Sequence, residues 1–231
     1  MKGYRHENKY MINEYKRKLL EAKLGGFLVQ DVHSDDDSNY HIRSLYFDDY
    51  NNRCYYENES GVDPREKYRI RYYNGDTSYI VLEKKIKNHG FTAKHSCQIT
   101  EEECRWMMKG HIPPIADDMP DLKKRLFTEM RIKLMKPKVI ISYDRTAYIY
   151  NTGNVRVTFD SNITASANVD RFLEQRFPVR PVMSQGLILE IKWDEVLPDF
   201  IRKVLTDSKL HRTSFSKYYT CRKYNNNGGM A

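Results

Sequence analysis

An α+β fold is predicted, with antiparallel strands laid out as a sheet or barrel and helices packed outside it. Three features of the 231-residue sequence predict it. Short runs alternate apolar and polar residues with period two, as half-buried strands do. Segments with apolar residues at helical spacing separate those runs. Eighteen tyrosines fall largely within strand-like runs, where aromatic side chains are favoured. A hydrophobic content of 40% supports a buried core, and no repeat or Pro/Gly/Ser linker splits the chain. Residues 1–224 are therefore read as one domain and 225–231, NNNGGMA, as a disordered tail.

The elements follow in order. Residues 4–11 form the first strand, and Asn13 is placed to cap a helix over 14–24 that Gly25-Gly26 ends. Asp35, Asp36 and Asp37 read as a solvated loop before a strand at 41–48. The stretch KYRIRYYNGDTSYIVLEKKIK, residues 67–87, is a hairpin, because Asn74-Gly75 separates two alternating runs. Its loop is expected to hold an odd number of residues, 74–76 or 74–78. A two-residue loop would put Arg69 beside Ile80 on one face, against the buried pattern. The five-residue loop sets Arg69 opposite Glu83 and Lys67 opposite Lys85. A strand over 92–100 runs into a helix at 101–109, for which Thr100 and Glu103 form a capping box. Helix 121–134 repeats Leu122, Leu126, Met130 and Leu134 every four residues. Strands at 138–150, 154–160 and 187–193 precede a last helix, 194–205, with Val196, Phe200, Ile201 and Val204 on one side.

One face of these strands is repeatedly charged. Arg5, Glu7 and Lys9 share a face; so do Lys67, Arg69 and Arg71, then Glu83, Lys85 and Lys87. Lys94, Tyr143 with Arg145, Arg156 with Thr158 and Asp160, and Glu190 with Lys192 continue the pattern. In 138–150, Val139 and Ile141 share the face of Tyr143 and Arg145, so only the far half of that strand is expected to be functional. Any one such strand reads as the solvated side of an exposed sheet. Six or seven of them, rich in Arg and Lys with a carboxylate interspersed on several, read as the lining of a lumen or groove that needs an anion. The net charge of +8 and pI of about 9.1 agree, favouring nucleotides, polyphosphate or nucleic acid as partners. Carboxylates among the cations suit a divalent metal, since hard cations take oxygen ligands.

Other chemistries lack a pattern. Cys54, Cys97, Cys104 and Cys221 show no CxxC spacing, so neither structural zinc nor a disulfide framework is indicated. The histidines show no HxxxH or HExxH spacing, no GK[ST] follows Gly25-Gly26, and Ser44 and Ser142 lack a nucleophile elbow. No run of about 18 apolar residues or signal-peptide core is found, so a cytoplasmic protein without a membrane segment is expected. Tyr68 and Tyr72 fall on the apolar side of their strand and are expected to pack under helices, which argues against base stacking; no specific nucleic acid is expected.

The set Arg5-x-Glu7-x-Lys9, LYFDD (45–49), Arg69-x-Arg71, VLEKK (81–85), YDRTAY (143–148), RVTFD (156–160), LEIK (189–192) and FSKY (215–218) resembles the VTC domain. That is the catalytic domain of the vacuolar transporter chaperone polyphosphate polymerases, within the triphosphate tunnel metalloenzyme (CYTH-like) superfamily. The resemblance spans residues 4–218. It implies a closed antiparallel β-barrel tunnel of about eight strands with helices packed outside. It implies phosphate contacts by Lys9, Arg69, Arg71, Lys85, Lys94, Tyr143, Arg145, Lys192, Ser216 and Lys217, to which Arg156 is added. Lys9, Arg69, Arg71, Lys85, Arg145 and Glu190 would carry catalysis. Mn²⁺ or Mg²⁺ would be held by Glu190, with Glu7 and Glu83 as helpers and Asp160 a further candidate. The superfamily's ExExK signature has Arg5 at its first acidic position here, which suits the VTC branch. The implied activity is ATP-dependent polyphosphate synthesis, with ATP and inorganic polyphosphate or triphosphate as partners. A metal-dependent tunnel triphosphatase and a non-catalytic polyanion-binding module remain the alternatives.

Overall fold

The computed structural model describes residues 3–31, 39–183 and 186–227. Asp35, Asp36 and Asp37, and residues 228–231 of the expected tail, lie outside the described residues. In chain order the elements are β1 (His6–Ile12), α1 (Glu14–Leu24), β2 (Val29–Gln30), β3 (Asn39–Asp48), α2 (Arg53–Glu59), β4 (Arg65–Tyr73), β5 (Asp76–Asn88) and β6 (Phe91–Ile99). There follow α3 (Glu101–Met108), α4 (Asp121–Ile132), β7 (Lys136–Tyr150), β8 (Val155–Ser166), β9 (Arg180–Pro181), β10 (Leu187–Trp193), α5 (Asp199–Asp207) and α6 (Lys217–Asn227). Eight strands lie side by side and antiparallel in the order β1-β10-β8-β7-β3-β4-β5-β6, while β2 and β9 flank β7 and β8. Among the described residues no helix is long and apolar enough to cross a membrane, and all four cysteines are free thiols.

The sheet curls until its ends meet, but it is not the closed barrel that was expected. β1 and β6 share one isolated bridge, Arg5 with Thr92, whose two N–H···O bonds are each 2.9 Å. On the inner side the seam is flanked by Lys9 of β1 and by Lys85 and Lys94 of β5 and β6. Continued antiparallel from that bridge, the ladder would run from His6 opposite Phe91 straight into the His89-Gly90 turn before β6, so the pairing stops there. On the outer side the His6 ring lies between Phe91 and Trp193, at centroid distances of 4.6 and 5.0 Å.

The hairpin corrects the expected loop but keeps its register. Asn74-Gly75 is a two-residue turn, with φ of 50° and 75°, the left-handed pair that Asn-Gly favours. Tyr73 pairs with Asp76, yet Arg71 pairs with Val81, so residues 77–80 bulge opposite Tyr72 alone. The bulge restores parity: Arg69 faces Glu83 and Lys67 faces Lys85. Burial of Ile70, Ile80 and Leu82, all 0% exposed, requires that register.

A second bulge explains why the predicted strand stopped at Asp160, whereas β8 runs to Ser166. Asn162 has φ 51°, and the pairing moves from Asp144–Ser161 to Ser142–Thr164. Beyond it Ile163 and Ala165 take the inner side. The predicted helix at 194–205 starts instead at Asp199, because the residue before Pro198 is kept out of helical geometry. Val196 is exposed. Likewise α4 ends before Leu134, whose φ is 51°.

Four helices pack outside the sheet, as expected. α1 and α5 cover Tyr10, Ile12, Val157, Phe159, Leu189 and Ile191. α3 and α4 cover Tyr68, Ile70, Tyr72, Ile80 and Leu82, which settles Tyr68 and Tyr72 as core residues. α6 departs from expectation. Its Tyr218 and Cys221 pack on Val139, Ile141, Ile163, Ala165 and Ile188, the apolar half of the concave face. Asn225–Asn227, expected as tail, extend this helix, since propagation from a packed turn is far easier than nucleation.

The LYFDD run anchors α6. Asp48 is 0% exposed; its carboxylate accepts the N–H groups of Asp49, Cys54 and Tyr55 at 2.9, 2.9 and 3.2 Å, so it caps α2. The Tyr218 hydroxyl donates to the same carboxylate at 2.5 Å. Asp48→Ala is therefore expected to lower stability by more than the about 1.5–3 kcal/mol of one hydrogen bond to a charged group. Tyr218→Phe should cost less, and denaturant midpoints of the two variants against wild type provide the check.

Candidate active site

Strand register assembles the concave charges. Across β1, β10 and β8, Lys9 lies opposite Glu190 and Glu190 opposite Thr158, while Glu7 lies opposite Lys192 and Lys192 opposite Arg156. Across β4, β5 and β6, Arg69 faces Glu83, and Lys67, Lys85 and Lys94 form a row. These faces enclose a cavity of about 750 Å³. Fourteen lysines and arginines line it against two glutamates, so the enclosed space is strongly electropositive. All eleven residues expected to contact phosphate line it: Lys9, Arg69, Arg71, Lys85, Lys94, Tyr143, Arg145, Arg156, Lys192, Ser216 and Lys217. Glu7 and Glu190 line it too, and Glu83 lies behind Arg69 and Lys94, 1% exposed.

Each carboxylate holds several cations. Glu190 accepts Lys192 Nζ at 2.6 Å and Lys9 Nζ at 3.4 Å. Glu7 accepts Lys85 Nζ at 2.7 and 3.0 Å, with Lys9 at 3.5 Å and Lys192 at 3.6 Å. Glu83 takes Arg69 Nε at 2.6 Å on one oxygen and Lys94 Nζ at 2.8 Å on the other. Asp160 is gripped by Arg145 through Nε and Nη2 at 2.6 and 2.8 Å, and by Lys217 at 2.5 Å. Burial alone would raise these carboxyls, but the neighbouring cations outweigh it. Glu7, Glu83 and Glu190 are held well below the usual carboxylate range, and Asp160 is lowered to about 2.

Tyrosine hydroxyls fix the arginines. Tyr46 accepts from Arg69 at 2.9 Å, Tyr143 from Arg71 at 3.1 Å and Tyr40 from Arg156 at 2.9 Å. Burial raises the Tyr143 phenol, but Arg71, Arg145 and Lys217 bring it below its ordinary value. The C-terminal segment completes the wall. Thr213 N–H donates to the Lys9 carbonyl at 2.8 Å, and Lys9 Nζ donates to the Phe215 carbonyl at 3.1 Å. That places Ser216 and Lys217, at the start of α6, in the cavity.

Glu7 and Glu190 offer the oxygen donors that a hard divalent ion takes. They stand on neighbouring strands, both within 3.5 Å of Lys9 Nζ, and the described residues hold no group of three His, Cys, Asp or Glu able to cage a metal. One or two carboxylates completed by phosphate oxygens and water is how Mg²⁺ is usually held. Both oxygens of Glu83 and both of Asp160 are engaged by arginine or lysine.

Lys67 lines the cavity without having been assigned a role, although it shared the alternation of Arg69 and Arg71. Its Nζ contacts Asn58 Oδ1 at 3.0 Å and Ser216 Oγ at 3.1 Å, and no carboxylate of the described residues forms an ion pair with it. Thr158 carried no signal beyond one polar position of a strand, and Arg212, Thr213 and Ser214 carried none.

Residues 4–225 match the model of the VTC domain family. The chain belongs to that family. No curated protein sequence matches this VTC domain significantly. Solved structures share its fold, among them a candidate adenylyl cyclase from Hippeastrum described as having a dominant triphosphatase activity. It is 13% identical, with 96% of each chain covered and a TM-score of 0.55. A candidate adenylate cyclase from Bacillus halodurans is 12% identical over 93% of this chain and 95% of its own, with a TM-score of 0.54. The PH1819 protein of Pyrococcus horikoshii OT3 is 14% identical over 95% and 99%, with a TM-score of 0.51. At such identities the likeness is one of fold.

Burial, helped by Arg65, Lys85 and Lys9, pushes the Lys67 ammonium down to about 7. Above that pH the free group is largely neutral, whereas a bound anion favours its charged form. Tripolyphosphate binding to the VTC domain is therefore expected to take up protons, and to weaken as pH rises above about 7. Calorimetry in buffers of different ionisation enthalpy reads the uptake, which Lys67→Met should reduce.

Proposed function

We propose that this VTC domain is a metal-dependent polyphosphate polymerase that uses ATP. A terminal oxygen of the growing chain attacks the γ-phosphorus, a new P–O–P bridge forms, the β–γ bridge breaks, and ADP leaves with the electron pair. Mg²⁺ or Mn²⁺, held by Glu190 and Glu7, would neutralise phosphate charge and act as Lewis acid. Phosphoryl transfer asks the protein mainly for positioning and charge neutralisation. Arg69, Arg71 and Arg145 offer fork-shaped donors to phosphate oxygens, and Lys9, Lys85, Lys94, Lys192 and Lys217 offer movable point charges. Ser216, Tyr143 and Arg156 complete the contacts, and Glu83 sets the geometry of Arg69. The observation that carries this reading is the excess of fourteen cations over two carboxylates in one enclosed cavity.

The attacking group of a polymerase is already anionic and needs no base. A hydrolase must orient and activate water, usually through a carboxylate. Glu7, Glu83 and Glu190 are all ion-paired and held in a weakly basic state, which supports polymerisation over hydrolysis. The fold shared with a plant protein described as a triphosphatase keeps hydrolysis as the second reading. In a simple polyanion binder the glutamates would serve only to hold buried cations, and that is the third reading. The same reading puts the domain in the cytoplasm, with access to ATP.

Purified protein incubated with ATP and Mn²⁺ should yield a ladder of polyphosphate on a gel, together with ADP. Free phosphate without a ladder would replace the polymerase by a hydrolase. Arg145→Ala and Lys9→Ala should each lower turnover on the order of 10²–10³-fold, the usual loss of one donor to transition-state charge. Glu190→Ala should abolish metal-dependent turnover. If wild type shows no turnover and Glu190→Ala binds polyphosphate more tightly, the domain is a binding module.

A further inference from the structure

Thr158 stands on β8 with its side chain in the cavity wall, flanked on that strand by Arg156 and Asp160. It is 2% exposed, and among the described residues its Oγ1 has no hydrogen-bond partner. Its cross-strand neighbours are Glu190 on β10 and Ala147 on β7. The hydroxyl thus sits where two charge groups meet: Lys9, Glu190 and Lys192 on one side, Arg145, Asp160 and Lys217 on the other. Two residues along the same face, Arg156 Nε is also buried without a partner.

Buried polar groups are nearly always paired, and each exception calls for a reason. Valine would occupy the same volume in a strand at least as well, without an unsatisfied group. The surroundings indicate the missing partner: an acceptor is wanted by the hydroxyl, and an anion by the cations on both sides. We infer that the Thr158 hydroxyl is a phosphate-binding donor, giving its hydrogen to a non-bridging oxygen of the phosphate chain beside Glu190. This rests on the reading of the cavity as a polyphosphate site.

The test uses the full chain, tripolyphosphate and EDTA, so that metal coordination plays no part, with calorimetric affinities and melting temperatures for wild type, Thr158→Val and Thr158→Ser. The valine variant should melt at or above the wild-type temperature when free. It should bind tripolyphosphate about 10-fold more weakly, the loss of one hydrogen bond to a charged group. Serine should restore binding. Equal affinity of wild type and Thr158→Val would overturn the assignment, as would a free valine variant that melts several degrees lower while serine does not, since the hydroxyl would then have a protein partner. Weakening seen only when Mg²⁺ replaces EDTA would make Thr158 a metal ligand instead of a phosphate donor. Failure of the wild type itself to bind would remove the polyphosphate reading of the whole cavity, and this assignment with it.

Discussion

Taking an ammonium or guanidinium group out of water costs several kcal/mol unless opposite charge and hydrogen bonds replace the water. The concave face of this sheet meets that constraint many times over, and its layout follows from how. Glu7, Glu83, Asp160 and Glu190 each hold at least two cations. Tyr40, Tyr46 and Tyr143 take further arginine donors. These groups let the empty cavity persist, yet they do not neutralise it. What remains is a cavity with fixed positive charge and a standing preference for a multiply charged anion.

The two walls differ in how their cations are held. On β4 and β7 the guanidinium groups are fixed: Arg69 by Glu83 and Tyr46, Arg71 by Ser44 and Tyr143, and Arg145 by both oxygens of Asp160 and by the Tyr143 ring at 5.4 Å. Near the seam Lys9, Lys85 and Lys192 share Glu7 and Glu190, and an ammonium on a flexible stem changes partners easily. Arginines held by fixed partners thus face lysines that share their carboxylates. Asp48 ties this arrangement to the rest of the fold: through Tyr218 it sets where α6 begins, and α6 begins with the residues that enter the cavity.

Much of this was legible in the sequence because it has period two. Arg69 and Arg71 could not share a face with Tyr68 and Ile70, so cations and core were separated before any contact was known. The same reasoning placed Tyr143 and Arg145 on the functional half of β7 and left Val139 and Ile141 for another purpose. That purpose, packing under α6, was not legible, because KYYTCRKYNNN shows no clear apolar stripe and is helical through tertiary burial of Tyr218 and Cys221. Bulges were hidden for a related reason. At 77–80 and at Asn162 the chain changes parity, and an alternation pattern sees only where it ends. Thr158 looked like any polar position of a strand; what singles it out is a missing partner.

Four carboxylates on one charged face looked alike in the sequence, and their partners tell them apart. Asp160 is held by both nitrogens of a guanidinium fork, and Glu83 has one oxygen on Arg69 and the other on Lys94. Such charge-assisted bonds also carry the geometry of the arginines, so withdrawing either carboxylate would unsettle a guanidinium group that lines the cavity. Glu7 and Glu190 are held by lysines alone: Lys9 and Lys192 serve both, and Lys85 holds Glu7. On the proposed reading, an ammonium would swing from carboxylate to phosphate as the anion enters, freeing carboxylate oxygens on that wall. Under the proposed function, a divalent cation arriving with the nucleotide would find its ligands at Glu190 and Glu7, with Glu83 and Asp160 as internal counter-charges.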